Sequence, residues 1–277
     1  MNPPLKTPFC LAAVDLDDTL LGADKAISRA NADAITRLAR AGVTVVLASG
    51  RRHENMRRFY NELGLDSGWI VSCNGALAQN ETTGEIAYEK RLPQPLVGAI
   101  LRDGVHFGAT QNFYHRDGAL YVNQTNEWTA LYTERTKADL TPMPDILSLV
   151  DDPALKIIWL TSAANALELA AEMRARHGAD ALHIVITDPE YLEFMAEGVN
   201  KATGLAIVAE RLGIAPAECV AFGDGNNDVE MLRWAGLGVA MPHARLAAQE
   251  AADVVAPEGD PETAFARAVS MLLGGEY

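Results

Sequence analysis

No apolar run in this 277-residue chain approaches the ~18–20 residues needed to cross a bilayer, which excludes a membrane-spanning helix. The opening stretch, MNPPLKTPFC, has no charged region followed by a hydrophobic core, so no export signal is expected. Cysteine is scarce. Cys10, Cys73 and Cys219 are odd in number, lie in apolar surroundings and lack metal-ligand spacing. They read as reduced core residues, which favours the cytoplasm as the expected compartment. The six histidines form no H-x₃-H or similar ligand pair. Basic residues are few, 23 against 37 acidic, and the net charge of -14 argues against nucleic acid or an anionic membrane as partner. Neither GxxxxGK[ST] nor GxGxxG occurs, so the common nucleotide loops are excluded. There is no repeat and no low-complexity linker.

The balance that remains, 49% hydrophobic and 22% charged, is that of a globular protein. Phe9–Val14, Val43–Ala48 and Trp69–Ser72 are short apolar runs without alternation, as in strands buried on both faces. Between the first two, SRANADAITRLARAG carries a capping Ser28, apolar residues at helical spacing and Gly42 as a stop. A helix over Lys201–Leu212, a strand in CVAFGD (219–224), a helix from about Asp228 and strands at Leu237–Ala240 and Asp253–Ala256 continue the alternation. The pattern predicts an α/β core with a parallel sheet and helices on both faces. The middle differs. FYHRDGALYV (113–122) reads as a hairpin turning at Asp117-Gly118. LKIIWL, LHIVIT and YLEFMA are strand candidates around an alanine-rich helix near Ala163–Arg176. An α+β domain over residues 83–196 is therefore expected as an insert, with the core in two parts, 1–82 and 197–277.

Ligands of parallel α/β sheets collect at the carboxyl ends of strands. Four polar clusters fall there: DLDDT after the first strand, SGR (49–51) after the second, SCNG (72–75) after the third and GDGNND (223–228) after the strand at 219. Lys201 opens the helix that follows the insert. Asp15, Asp17 and Asp18 pack three carboxylates into four positions, where like charges repel and resist desolvation. A strand-end turn capped by Asx side chains is the bland alternative, and it would leave the other clusters to separate explanations. Ser49 and Asn227 have helix capping as their bland reading, and Asn74-Gly75 a turn pair.

In order and spacing these segments resemble the haloacid dehalogenase superfamily, and within it the Cof-type branch of sugar-phosphatase-like proteins with an α+β cap. AVDLDDTLL is similar to that family's nucleophile signature, VVLASGR to its phosphate-binding segment, GVNKATGL to its lysine and GDGNNDVEML to its acidic metal loop. The resemblance implies a Rossmann-like core with an inserted cap, and a Mg²⁺-dependent phosphatase acting on a small phosphorylated metabolite. It implies Asp15 as nucleophile, forming an aspartyl-phosphate, and Asp17 as general acid and base. Ser49 and Lys201 would stabilise the transferring phosphoryl group, with backbone N–H groups at Leu16 and Gly50 and the side chain of Asn227. Mg²⁺ would sit on Asp15, the backbone carbonyl of Asp17 and Asp224, with Asp228 binding it directly or supporting those ligands. A sugar phosphate is the expected substrate, with phosphorylated cofactors or their precursors second. A phosphomutase, a metal-free haloacid dehalogenase and a non-catalytic sensor of a phosphorylated metabolite remain open as alternatives. The chain departs from the branch at Asp18, where glycine is common, at His243, where Asn is usual, and at PETAFARA, which replaces an Asp-Gly-Val segment. Asp18 is expected to be solvated or to cap a helix, and His243 carries no role.

Overall fold

The computed structural model describes residues 8–178 and 181–274; most of the N-terminal stretch read for an export signal lies outside them. The chain opens with β1 (Leu11–Val14), α1 (Arg29–Arg40), β2 (Thr44–Ala48), α2 (His53–Glu62), β3 (Trp69–Ser72), β4 (Leu77–Asn80) and β5 (Ile86–Glu89). It continues through α3 (Gln94–His106), β6 (Thr110–His115), β7 (Leu120–Val122), α4 (Glu127–Thr136), β8 (Thr141–Pro142), β9 (Ala154–Leu160), α5 (Ala163–His177), β10 (Leu182–Ile186) and β11 (Tyr191–Ala196). It ends with α6 (Lys201–Leu212), β12 (Cys219–Gly223), α7 (Val229–Trp234), β13 (Leu237–Ala240), α8 (Leu246–Ala251), β14 (Val254–Val255) and α9 (Ala264–Leu273). These form two compact units: the described residues up to Tyr88 with those from Asn200 onward, and Glu89–Val199.

The first unit is built on an eight-stranded sheet in the order β14-β13-β12-β1-β2-β3-β4-β5. From β14 to β3 every pairing is parallel. The side chains of β1 alternate between two cores. Ala12 and Val14 pack with Ile35 and Leu38 of α1, Met56 and Phe59 of α2, and Phe265 and Val269 of α9. Leu11 and Ala13 pack with Leu205 and Val208 of α6, Met231 and Leu232 of α7, and Ala248 of α8. Burial on both faces is why the strand has no polar alternation. Ser28 caps α1, its Oγ accepting the N–H of Asn31 at 3.2 Å.

β4 and β5 were not evident in the sequence. β4 runs antiparallel to β3, because Cys73 (φ 51°), Asn74 (φ 55°) and Gly75 (φ 96°) turn the chain back on itself. Both strands are short and carry polar residues such as Gln79, Asn80 and Glu89, so no apolar run announces them.

The second unit holds a six-stranded sheet, β10-β11-β9-β6-β7-β8, antiparallel except for the short β7–β8 pair. Its core includes Phe113, Trp159 and Phe194 with Ile100 of α3 and Met173 of α5. The hairpin read at 113–122 is present, with Gly118 at φ 93° in its turn. A buried ion pair joins β9 to β11: Lys156 Nζ donates to Glu193 Oε2 at 2.8 Å, and lies 4.6 Å from the centre of the Tyr114 ring. Thr187 Oγ1 donates to the other Glu193 oxygen at 2.9 Å. Replacing one member leaves an uncompensated buried charge, whereas replacing both removes the problem. Lys156→Met alone is expected to cost about 3–5 kcal/mol in urea unfolding, and Lys156→Met with Glu193→Leu substantially less.

Candidate active site

The candidate site residues of the first unit gather where β1 lies between β12 and β2, the point at which strand order reverses. Asp15 follows β1 and donates its N–H to Phe222 O of β12 at 3.1 Å. Lys201 is the first residue of α6, capped by Asn200, whose Oδ1 accepts the N–H of Thr203 at 3.0 Å. Gly75 lets this helix start approach, since a Cβ there would sit 1.9 Å from Asn200 O. The lysine is wholly buried, and Nζ donates to Asp15 Oδ1 at 2.5 Å and to Asp228 Oδ1 at 2.6 Å. Asp228 spends its other oxygen on the loop, accepting N–H groups from Asp224 at 3.0 Å and Gly225 at 2.8 Å. Asp224 Oδ1 accepts from Thr19 Oγ1 at 2.8 Å.

These groups are electrostatically unbalanced. Burial, with the neighbouring Asp228, pushes the Asp15 carboxyl up to about 8 despite Lys201. Burial and the charges of Asp15 and Asp228 raise Asp224 as well. Burial would lower Lys201, but Asp15 and Asp228 outweigh it and hold the ammonium well above its usual value. One carboxylate oxygen each from Asp15, Asp224 and Asp228 lies within 4.8 Å of the others. With all three ionised, Lys201 would offset one of their three negative charges and leave two. A hard, divalent cation fits that donor set in both oxygen chemistry and charge.

Asp17 stands in a different field. Burial alone would raise its carboxyl, but Arg51 and then Lys25 hold it below the ordinary carboxylate value. Arg51 makes a two-pronged contact, Nε to Oδ2 and a terminal nitrogen to Oδ1, both at 2.7 Å. Lys25 Nζ stands 3.3 Å from Asp17 and 3.1 Å from Asp18. Asp18 has φ 58°, a left-handed backbone that glycine adopts without strain. Its carboxylate pairs with Lys25 and caps no helix.

Ser49 and Gly50 follow β2. Ser49 is buried, and its Oγ accepts the N–H of Arg51 at 3.2 Å; α2 is capped at Arg52, not at Ser49. Asn227 Nδ2 donates to Asn74 Oδ1 at 2.9 Å, tying the loop after β12 to the turn after β3, and it caps no helix either. Leu16 is a buried apolar residue whose carbonyl accepts the N–H groups of Leu20 and Leu21. Thr19, Lys25 and Arg51 were missed as individual residues. The run DLDDT and the triplet SGR held the signal for Thr19 and Arg51, whereas Lys25 had none.

A family described as haloacid dehalogenase-like hydrolase matches residues 12–268. The chain is similar to the HMP-PP phosphatase of Yersinia pestis (strain Pestoides F), 30% identical over 236 residues and 85% of each chain. It is 29% identical, over 84% of each chain, to the HMP-PP phosphatase of Cronobacter sakazakii (strain ATCC BAA-894). Among solved structures it is similar to a haloacid dehalogenase-like hydrolase from Bacteroides thetaiotaomicron, with a TM-score of 0.80, 27% identity and coverage of 90% of this chain and 94% of that one.

The unbalanced carboxylates make a prediction about stability. Asp224→Asn keeps an acceptor for Thr19 and removes one repelling charge. In EDTA it is expected to raise the thermal midpoint by about 2–4 °C, as ~1 kcal/mol does for a chain of this size. With a divalent cation added, wild type should gain more than the variant.

Proposed function

The chain belongs to the haloacid dehalogenase-like hydrolase family and is a phosphatase, and from that premise we propose that it hydrolyses a small phosphorylated metabolite through an aspartyl-phosphate on Asp15. The supporting observation is the position of Asp15, which meets both Lys201 and the acidic pair Asp224 and Asp228. Lys201 holds Oδ1, and Oδ2 is the oxygen we assign to the attack on phosphorus. As the new O–P bond forms, the bond from phosphorus to the ester oxygen breaks, and Asp17 donates its proton to that oxygen. Asp17, now ionised, takes a proton from water as the water oxygen attacks the aspartyl-phosphate, freeing Asp15 and inorganic phosphate.

The remaining residues prepare the charge that develops on the phosphoryl oxygens. Lys201 supplies a fixed positive charge, Ser49 a hydroxyl, Asn227 an amide and the backbone at Leu16 and Gly50 N–H groups. Arg51 and Lys25 hold Asp17 ionised, which suits the water-activating step; for the first step Asp17 must carry a proton and leave Arg51. Asp15, Asp224 and the carbonyl of Asp17 would hold Mg²⁺, with Asp228 fixing the loop and Lys201 beside it. When bound, Mg²⁺ neutralises the residual charge of the cluster and reduces repulsion between Asp15 and the phosphate. We place the protein in the cytoplasm, a reading supported by Cys10, Cys73 and Cys219, none of which forms a disulfide among the described residues. Among the described residues no helix is long and apolar enough to cross a membrane.

A sugar phosphate is the substrate class we propose first. HMP-PP is the second, favoured by the relatives that carry its name. Release of inorganic phosphate from a panel containing both, in Mg²⁺ and in EDTA, decides between them. Activity is expected to need Mg²⁺, to vanish in Asp15→Asn and to persist within about threefold in Asp18→Asn, a change at an exposed group. Full activity in Asp15→Asn would overturn the mechanism. Isomerised sugar phosphate without free phosphate would make the enzyme a mutase.

A further inference from the structure

His243 lies outside the machinery described so far, on the exposed turn after β13, yet its ring reaches the loop that carries Asp17. Nε2 is 2.6 Å from the backbone oxygen of Asp18. A carbonyl only accepts, so Nε2 carries the hydrogen and donates it. The turn that holds the ring is itself fixed. Met241 N–H donates to Gly223 O at 3.0 Å, and Arg245 N–H to Asp224 O at 2.8 Å. Gln249 Nε2 spans it from α8, donating to Pro242 O at 3.2 Å and Ala244 O at 3.0 Å. The ring thus braces the Asp17–Asp18 turn against the loop of Asp224.

The brace acts at a backbone position that needs one. Asp18 is left-handed at φ 58°, a conformation that an L side chain makes unfavourable. Its carboxylate is tied to Lys25 at 3.1 Å and its carbonyl to His243. Two independent contacts therefore fix the residue next to Asp17 at both of its polar ends. Releasing the carbonyl would free the Asp18–Thr19 peptide and loosen the left-handed turn at Asp18, and so the direction in which the adjoining Asp17 carboxyl points.

We propose that His243 is a positioning residue for proton transfer by Asp17, a role that rests on the acid assignment made above. The step it serves moves the proton of the Asp17 carboxyl to the ester oxygen while the phosphorus–oxygen bond breaks. Such help matters most when the leaving group is a poor one, because a stable leaving anion departs without a proton. The defect of a His243 variant should therefore depend on the leaving group, and a merely structural defect should not.

The test compares kcat/KM for 4-nitrophenyl phosphate, phenyl phosphate and benzyl phosphate, in order of increasingly poor leaving group, with the Mg²⁺-loaded enzyme. His243→Ala is expected to lose about two- to tenfold on benzyl phosphate, the range of one hydrogen bond, and less than about twofold on 4-nitrophenyl phosphate. His243→Asn, which restores an N–H donor, should stay within about twofold of wild type on all three. Equal losses of His243→Ala across the series, or no loss at all, would overturn the proposal. Asp17→Asn separates the two levels of the argument. If it shows the same leaving-group trend more strongly, the acid assignment stands and the His243 variants judge the brace alone. If it shows none, the acid assignment fails and the proposal fails with it.

Discussion

Keeping Lys201 charged where none of its surface meets solvent is the constraint on which this site depends. Burial favours loss of the proton, and the lysine starts a helix, whose N-terminal dipole adds to the cost. Two carboxylates at 2.5 and 2.6 Å reverse the balance. A compact ammonium with three donors can stand between two single oxygens in this way, where the broad fork of a guanidinium would spread across both. The contact joins residues 186 positions apart in sequence. It therefore fixes the register of α6 against β1 and β12, and the packing of Gly75 under Asn200 becomes a condition of the site.

The parts of the molecule that follow from local physics were legible in the sequence. β1 is continuous and apolar because Leu11 and Ala13 enter one core, and Ala12 and Val14 the other. Ser28 and Gly42 mark the ends of α1 because an N-cap hydroxyl and a left-handed backbone have narrow chemical solutions. Short polar clusters after buried strands point to one edge of the sheet because parallel strands all deliver their ends there. That rule brings Asp15, Ser49, Asn74 and Asp224 to a common edge before any distance is known.

Other features depend on what the chain meets far away. Arg51 was read only as part of a triplet, since nothing local says that its guanidinium will grip Asp17 with both prongs. Thr19 looks like any loop threonine until Asp224, 205 residues on, accepts its hydroxyl hydrogen. β4 and β5 are polar and short, and they exist as strands because the left-handed turn at Cys73–Gly75 lays β4 back along β3. Asp18 could not be placed from its side chain, because its defining property is a backbone angle.

Asp15 and Asp17 are two residues apart, of one type and both inside the site, yet the protein drives them in opposite directions. Asp15 is pushed up by burial and by Asp228, while Asp17 is held down by Arg51 and Lys25 against its own burial. Environments that separate two like groups are the usual mark of a division of labour between them. On the roles proposed above, each stands away from the state that its first task would require, since a nucleophile must be ionised and an acid must carry its proton. The same geometry explains both offsets. With Asp15, Asp224 and Asp228 all ionised, the cluster would be two positive charges short of balance, and Asp17 has two cations beside it that a phosphate would also attract. On the proposed mechanism, a phosphate dianion would draw Arg51 and Lys25 away from Asp17, and a divalent cation held by Asp15 and Asp224 would offset the charge of the cluster. On this reading the site withholds its reactivity until the charge of the substrate completes it.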